Sequence, residues 1–119
     1  MKKPLILIDL DGVLNSYKGD YKENHIPKPQ KGVWEFLEDL SKNYIIKIFT
    51  TRKKDLVESW LKKHNLDKYI NDITNVKEPA FFYVDDRSIT YSGDYKELQR
   101  AIIDFKPHWK LKQNNDNRA

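Results

Sequence analysis

Three short, mainly apolar runs interrupt an otherwise polar, lysine-rich chain, and each stops at residues able to do chemistry. The first, Leu5-Ile6-Leu7-Ile8, is a continuous apolar stretch of the kind that parallel sheets bury on both faces. It runs into Asp9-Leu10-Asp11-Gly12-Val13. The second, Tyr44 to Phe49, ends in Thr50-Thr51-Arg52, and the third, Phe81 to Val84, ends in Asp85-Asp86-Arg87. Between them the apolar positions recur with a period of about 3.6. Val33, Trp34, Phe36, Leu37 and Leu40 predict an amphipathic helix over 31–42. Leu56, Val57, Trp60 and Leu61 predict another over 53–64, with Asn65 suited to its C-terminal cap. Tyr95, Leu98, Ala101, Ile102 and Phe105 share a face of a third helix, about 94–105. It opens on an Asp94/Glu97 pair resembling a capping box and is stopped by Pro107. Tyr69-Ile70 is the start of a further short strand leading toward Asp72 and Lys77.

Strands alternating with helices imply an α/β fold, a parallel sheet wrapped by helices on both sides. Such folds bind ligands beyond the carboxyl ends of their strands. Asp9, Asp11, Thr50, Arg52, Asp85 and Asp86 all fall there, and Lys77 lies in a loop feeding the same edge. In an extended strand Asp9 and Asp11 point the same way. Like charges converging at the end of a buried strand are costly unless a cation or a proton joins them. A hard-metal site, most simply Mg²⁺, follows. Gly12 permits a sharp turn and a close approach of a ligand to the backbone. The simpler alternative for Asp9-Leu10-Asp11-Gly12 is a solvated turn.

Composition narrows this picture. At 119 residues, 39% hydrophobic and 13% aromatic, the chain suits one folded domain, residues 1–112, with a polar and disordered tail over 113–119. It has no cysteine, which excludes disulfides and thiolate metal sites and suits a reducing cytoplasm. Met1-Lys2-Lys3-Pro4 before only four apolar residues does not resemble a signal peptide, and no apolar run is long enough to span a bilayer. A net charge of +4 is compatible with a polyanionic partner. The segment Asn15–Gln30 carries Tyr17, Lys18, Tyr21, Lys22, His25, Lys28 and two prolines. It reads as a surface loop or small hairpin, or as a flap giving aromatic and cationic contacts to a phosphorylated substrate.

The order D-x-D-G-V, strand–Thr, Lys, strand–Asp-Asp resembles the haloacid dehalogenase (HAD) superfamily of aspartate-nucleophile phosphohydrolases, over nearly the whole span Leu5 to Phe105. The resemblance implies a Rossmannoid three-layer sandwich and a phosphatase working through an aspartyl-phosphate. Asp9 is then the nucleophile and Asp11 the general acid/base. Thr50, or Thr51 in its place, binds the transferring phosphoryl group, and Lys77 stabilises its charge. Asp9, Asp11 (through its backbone carbonyl), Asp85 and Asp86 hold Mg²⁺. The gaps 15–30 and 78–80 leave room for a flap but no large cap, which goes with macromolecular substrates or with small ones closed off by a partner chain.

Thr50-Thr51-Arg52 and Asp85-Asp86-Arg87 are also similar to the phosphatase module of polynucleotide kinase–phosphatases and to deoxyribonucleotidases. By that likeness Arg52 and Arg87 clamp phosphate oxygens, and the substrate is a nucleic-acid end or a nucleotide. A small-metabolite phosphatase and a non-catalytic phosphate- or metal-binding module are the competing readings. A receiver domain is disfavoured, because there the acidic pair follows the first strand and the phosphoacceptor comes later. The sequence leaves the oligomeric state open.

Overall fold

The computed structural model describes residues 2–110; the tail expected over 113–119 lies outside the described residues. A four-stranded, fully parallel sheet forms the centre, in the order β3-β2-β1-β4. Its strands are β1 (Leu5–Asp9), β2 (Ile45–Phe49), β3 (Asp72–Thr74) and β4 (Phe82–Val84). The helices are α1 (Val33–Ser41), α2 (Lys54–Lys63) and α3 (Tyr95–Asp104). The architecture is therefore α/β. Among the described residues no helix is long and apolar enough to cross a membrane.

The register explains the core. Ile6 pairs with Ile46 and Phe82, Ile8 with Ile48 and Val84, and Ile48 with Ile73. One sheet face is thus almost wholly isoleucine, and it packs against Val33 and Leu37 of α1 and Val57, Trp60 and Leu61 of α2. Burying such a side chain is worth about 1.5–3 kcal/mol each, so this half of the molecule carries most of the hydrophobic stabilisation. Helix α2 ends as its sequence indicates: Asn65 adopts φ 58° and Leu66 N–H donates to the Leu61 carbonyl.

The cover on the other sheet face is thin among the described residues, although Leu7 there is buried. Helices α1 and α2 lie on the same face, and α3 buries none of its residues, leaving Tyr95, Ile102 and Ile103 exposed. The opposite sheet face gives a physical reason, because it is only partly apolar. It presents Leu7 and Phe49 beside Lys47, which is paired with Glu78 at 2.9 Å, and a half-exposed Tyr83. The capping box forms in half: Asp94 Oδ1 accepts the Lys96 N–H, while Glu97 bonds to Ser92 Oγ instead of closing back on Asp94. The strand expected to start at Tyr69-Ile70 starts at Asp72 instead, after a single 3₁₀ turn over Asp67–Tyr69.

Candidate active site

Because all four strands are parallel, their carboxyl ends share one edge, and the chemistry-bearing residues gather there. Asp9 is the last residue of β1, Thr50 follows β2, and Asp85 follows β4. The chain leaves β1 in a tight turn over Leu10–Leu14 that needs Gly12 at φ 85°. A Cβ at Gly12 would lie 2.0 Å from Asp86 Oδ2, so the approach that glycine permits is taken by a neighbouring carboxylate. Asn15, fully buried, braces the turn. Its Oδ1 accepts the N–H groups of Gly12 and Tyr17, and its Nδ2 donates to Asp11 Oδ1 at 3.0 Å.

Carboxylate oxygens of Asp9, Asp85 and Asp86 lie within 4.8 Å of one another. Burial, a hydrogen bond with Asp86 and the charges of Asp85, Asp86 and Asp11 push the Asp9 carboxyl up to about 8. A proton is thus retained where like charges crowd. The donor set, all hard carboxylate oxygen, fits Mg²⁺ or another hard divalent ion. Asp11 stands apart from this trio. Its carboxylate is held bidentately by Arg52, Nε to Oδ2 at 2.9 Å and Nη2 to Oδ1 at 3.1 Å.

Arg52 is not a free phosphate clamp. Its side chain is 1% exposed, and its Nη1 donates to the carbonyls of Lys22 (2.8 Å) and Glu23 (3.1 Å). It therefore ties the flap to Asp11, with the Tyr21 ring 4.5 Å from the guanidinium. The flap is a closed excursion bridged at Asn15–Pro29 and Lys22–His25, pinned further by Trp60 Nε1–H donating to the Pro27 carbonyl.

Two cavities meet at Asp9 and Asp85. One, of about 340 Å³, is lined by Asp9, Asp11, Tyr17, Thr51, Asp86 and Arg87 among others. The second, of about 330 Å³, lies on the sheet face opposite α1 and α2, where Lys77 joins Asp9 and Asp85 over Leu7, Phe49 and Tyr83. The two threonines separate here. Thr51 lines the cavity that contains both Asp9 and Asp11, whereas Thr50 is buried and its Oγ1 accepts the Arg52 N–H at 3.1 Å. Lys77 reaches the edge as expected, its Nζ 4.8 Å from the centre of the Tyr83 ring. Arg87 lies against both Tyr17 and Trp109 (5.6 and 5.4 Å from the ring centres) and donates to Tyr17 Oη at 3.0 Å.

Compared with protein-family models, curated proteins and solved structures, the chain has no significant match.

Three site residues escape a reading by motif. Asn15 opens the flap segment 15–30 and carries no motif of its own. His108 and Trp109 lie far along the chain beyond Pro107, yet they close over the β1 turn. His108 Nε2 lies 2.6 Å from the Gly12 carbonyl, and Trp109 Nε1–H donates to Asp86 Oδ2 at 2.5 Å. The one available signal was a tryptophan placed just after a helix stop, where a polar tail needs none.

Proposed function

We propose that the chain is a divalent-cation-dependent phosphomonoesterase of the haloacid dehalogenase type, acting on nucleic-acid ends or nucleotides through an aspartyl-phosphate at Asp9. The observation that carries this reading is the meeting of Asp9, Asp85 and Asp86 at one sheet edge, with Asp11 and Thr51 on one side and Lys77 on the other. Phosphoryl transfer needs that combination: an oxygen nucleophile, a proton donor, and positive charge around the phosphoryl oxygens.

Asp9, Asp85 and Asp86 would hold Mg²⁺, which when bound neutralises phosphate charge. Asp9, once the proton it keeps in the cation-free fold has passed to solvent, attacks phosphorus through a carboxylate oxygen as the bond to the ester oxygen breaks, and Asp11 gives that leaving oxygen its proton. Water then attacks the same phosphorus and surrenders a proton to Asp11; the acyl–phosphate bond breaks, releasing inorganic phosphate and restoring Asp9. Arg52 and Asn15 orient Asp11 along the cavity wall, with two donors on Oδ1 and one on Oδ2, so Oδ2 keeps the lone pair that carries the proton. Thr51 donates to the phosphoryl oxygens, and Lys77 balances their charge from the opposite side.

The flap supports a ring-bearing substrate. Tyr21, half exposed, lines the same cavity as Asp9 and Asp11, with Arg87 beside it; an aromatic face with a guanidinium suits a base next to its phosphate. The test is phosphate release with Mg²⁺ from oligonucleotides bearing 3′- or 5′-phosphates, matching mononucleotides, and sugar phosphates. Faster turnover of either nucleotide class supports the reading. Exclusive turnover of sugar phosphates overturns its substrate, and no turnover with any of them overturns the activity.

A further inference from the structure

Beyond Pro107 the chain returns to the β1 turn and seals the gap between three separate parts of the site. Trp109, 9% exposed, meets the Tyr17 ring edge-on at 5.4 Å. Arg87 lies over its face, and Gly19 is so close that a Cβ there would sit 2.9 Å from the indole Cζ3. The room for this ring is therefore made by glycine in the flap, and its walls come from the flap and from the turn after β4. Neither packing nor solvent exclusion requires the indole N–H to point at a carboxylate. It does so nonetheless, donating to Asp86 Oδ2 at 2.5 Å, while His108 Nε2 reaches the Gly12 carbonyl on the other side of the same turn.

We propose that Trp109 is a positioning residue for the divalent cation: its indole N–H fixes the orientation of the ligand Asp86, so the cation site is completed by the C-terminal segment of the chain. This inference rests on the cation-dependent reading above. A carboxylate free to rotate must be ordered when the ion binds, whereas one already held by a neighbouring donor is not. Asp86 is only half-buried, so without Trp109 no other hydrogen bond described for it, apart from that to Asp9, restrains it. The ring contacts to Tyr17 and Arg87 belong to packing, and phenylalanine keeps an aromatic ring there while giving up part of the indole that meets Gly19; the N–H is the group turned to the cation site.

The experiment is Mn²⁺ binding to the full chain, read as the loss of the free-ion paramagnetic resonance signal, for wild type and Trp109→Phe. The wild type is expected to take up the ion, and Trp109→Phe to bind it about 10–100-fold more weakly while it still folds without cation, melting cooperatively at a somewhat lower temperature. Equal affinity in the two proteins overturns the role of Trp109 and leaves the phosphatase reading standing. Absence of Mn²⁺ binding in the wild type overturns both. Should Trp109→Phe fail to fold, the wild-type indole ¹H–¹⁵N resonances decide, assigned by removing Trp34 and Trp60 in turn. The Trp109 signal is expected downfield of the other two, which donate to backbone carbonyls, and to shift when Mg²⁺ is added. A Trp109 signal unmoved by saturating Mg²⁺ overturns the proposal.

Discussion

Arg52 grips both oxygens of Asp11 across 41 residues of sequence, and with its remaining donors holds the flap backbone at Lys22 and Glu23. A guanidinium 1% exposed against a carboxyl group 19% exposed is a nearly desolvated pair. Such a pair is worth little as a net contribution, but losing one partner strands the other. Arg52→Ala is therefore expected to cost about 3–5 kcal/mol of stability, measured by urea denaturation. Arg52→Lys should recover only a minor part, since a point charge cannot reproduce the two-pronged contact. A full recovery by lysine would show that charge alone, and not the fork, holds the flap.

Asp9 sets a pH dependence with a definite sign. In the cation-free fold it keeps its proton up to about pH 8, whereas an unfolded chain releases it near the ordinary value of 3.8. Between those values the folded state binds more protons than the unfolded one, so cation-free stability falls as pH rises through that window. A divalent ion competes with that proton. The gain in melting temperature from Mg²⁺ should therefore be larger at pH 8 than at pH 5. An equal gain at both would detach the ion from Asp9.

Gly12→Ala combines two penalties. Its φ of 85° disfavours any side chain, and the added Cβ would displace the Asp86 carboxylate. The backbone alone costs about 1–3 kcal/mol. The variant should melt lower and also lose the Mg²⁺-dependent increment; a destabilised protein that keeps the whole increment would mean Asp86 is not needed by the ion.

The threonines offer a paired test. Thr51→Val removes a hydroxyl from the cavity shared by Asp9 and Asp11, with an expected loss of roughly 10²-fold in kcat and little change in stability. Thr50→Val should act the other way, lowering stability through the lost bond to Arg52 N–H while kcat changes far less. The reverse pattern would return the phosphoryl contact to Thr50.

Much of the frame was legible in the sequence because it rests on local signals. Leu5–Ile8 and Ile45–Phe49 are strands by composition and continuity, and the helices around Leu37 and Trp60 follow from their period. Placing Asp9, Thr50 and Asp85 on one edge needed only the inference that the sheet is parallel. What escaped depends on contacts distant in sequence. Periodicity shows that α3 has an apolar face, but not whether a partly polar sheet face will take it. A lone Trp109 has no pattern around it, and Arg52 looks the same by sequence whether it awaits a phosphate or is already spent on Asp11. Thr50 and Thr51 differ only in which way the chain turns after β2, which adjacent identical residues cannot reveal.

The central claim is that Asp9 is a nucleophile served by a divalent ion. Its most direct test is inorganic phosphate release from a phosphorylated oligonucleotide by wild type and Asp9→Asn, each with Mg²⁺ and with chelator. The account predicts release by the wild type with Mg²⁺ alone, and none by a folded Asp9→Asn protein under either condition. Release by Asp9→Asn at the wild-type rate, or wild-type release unaffected by chelator, would contradict it.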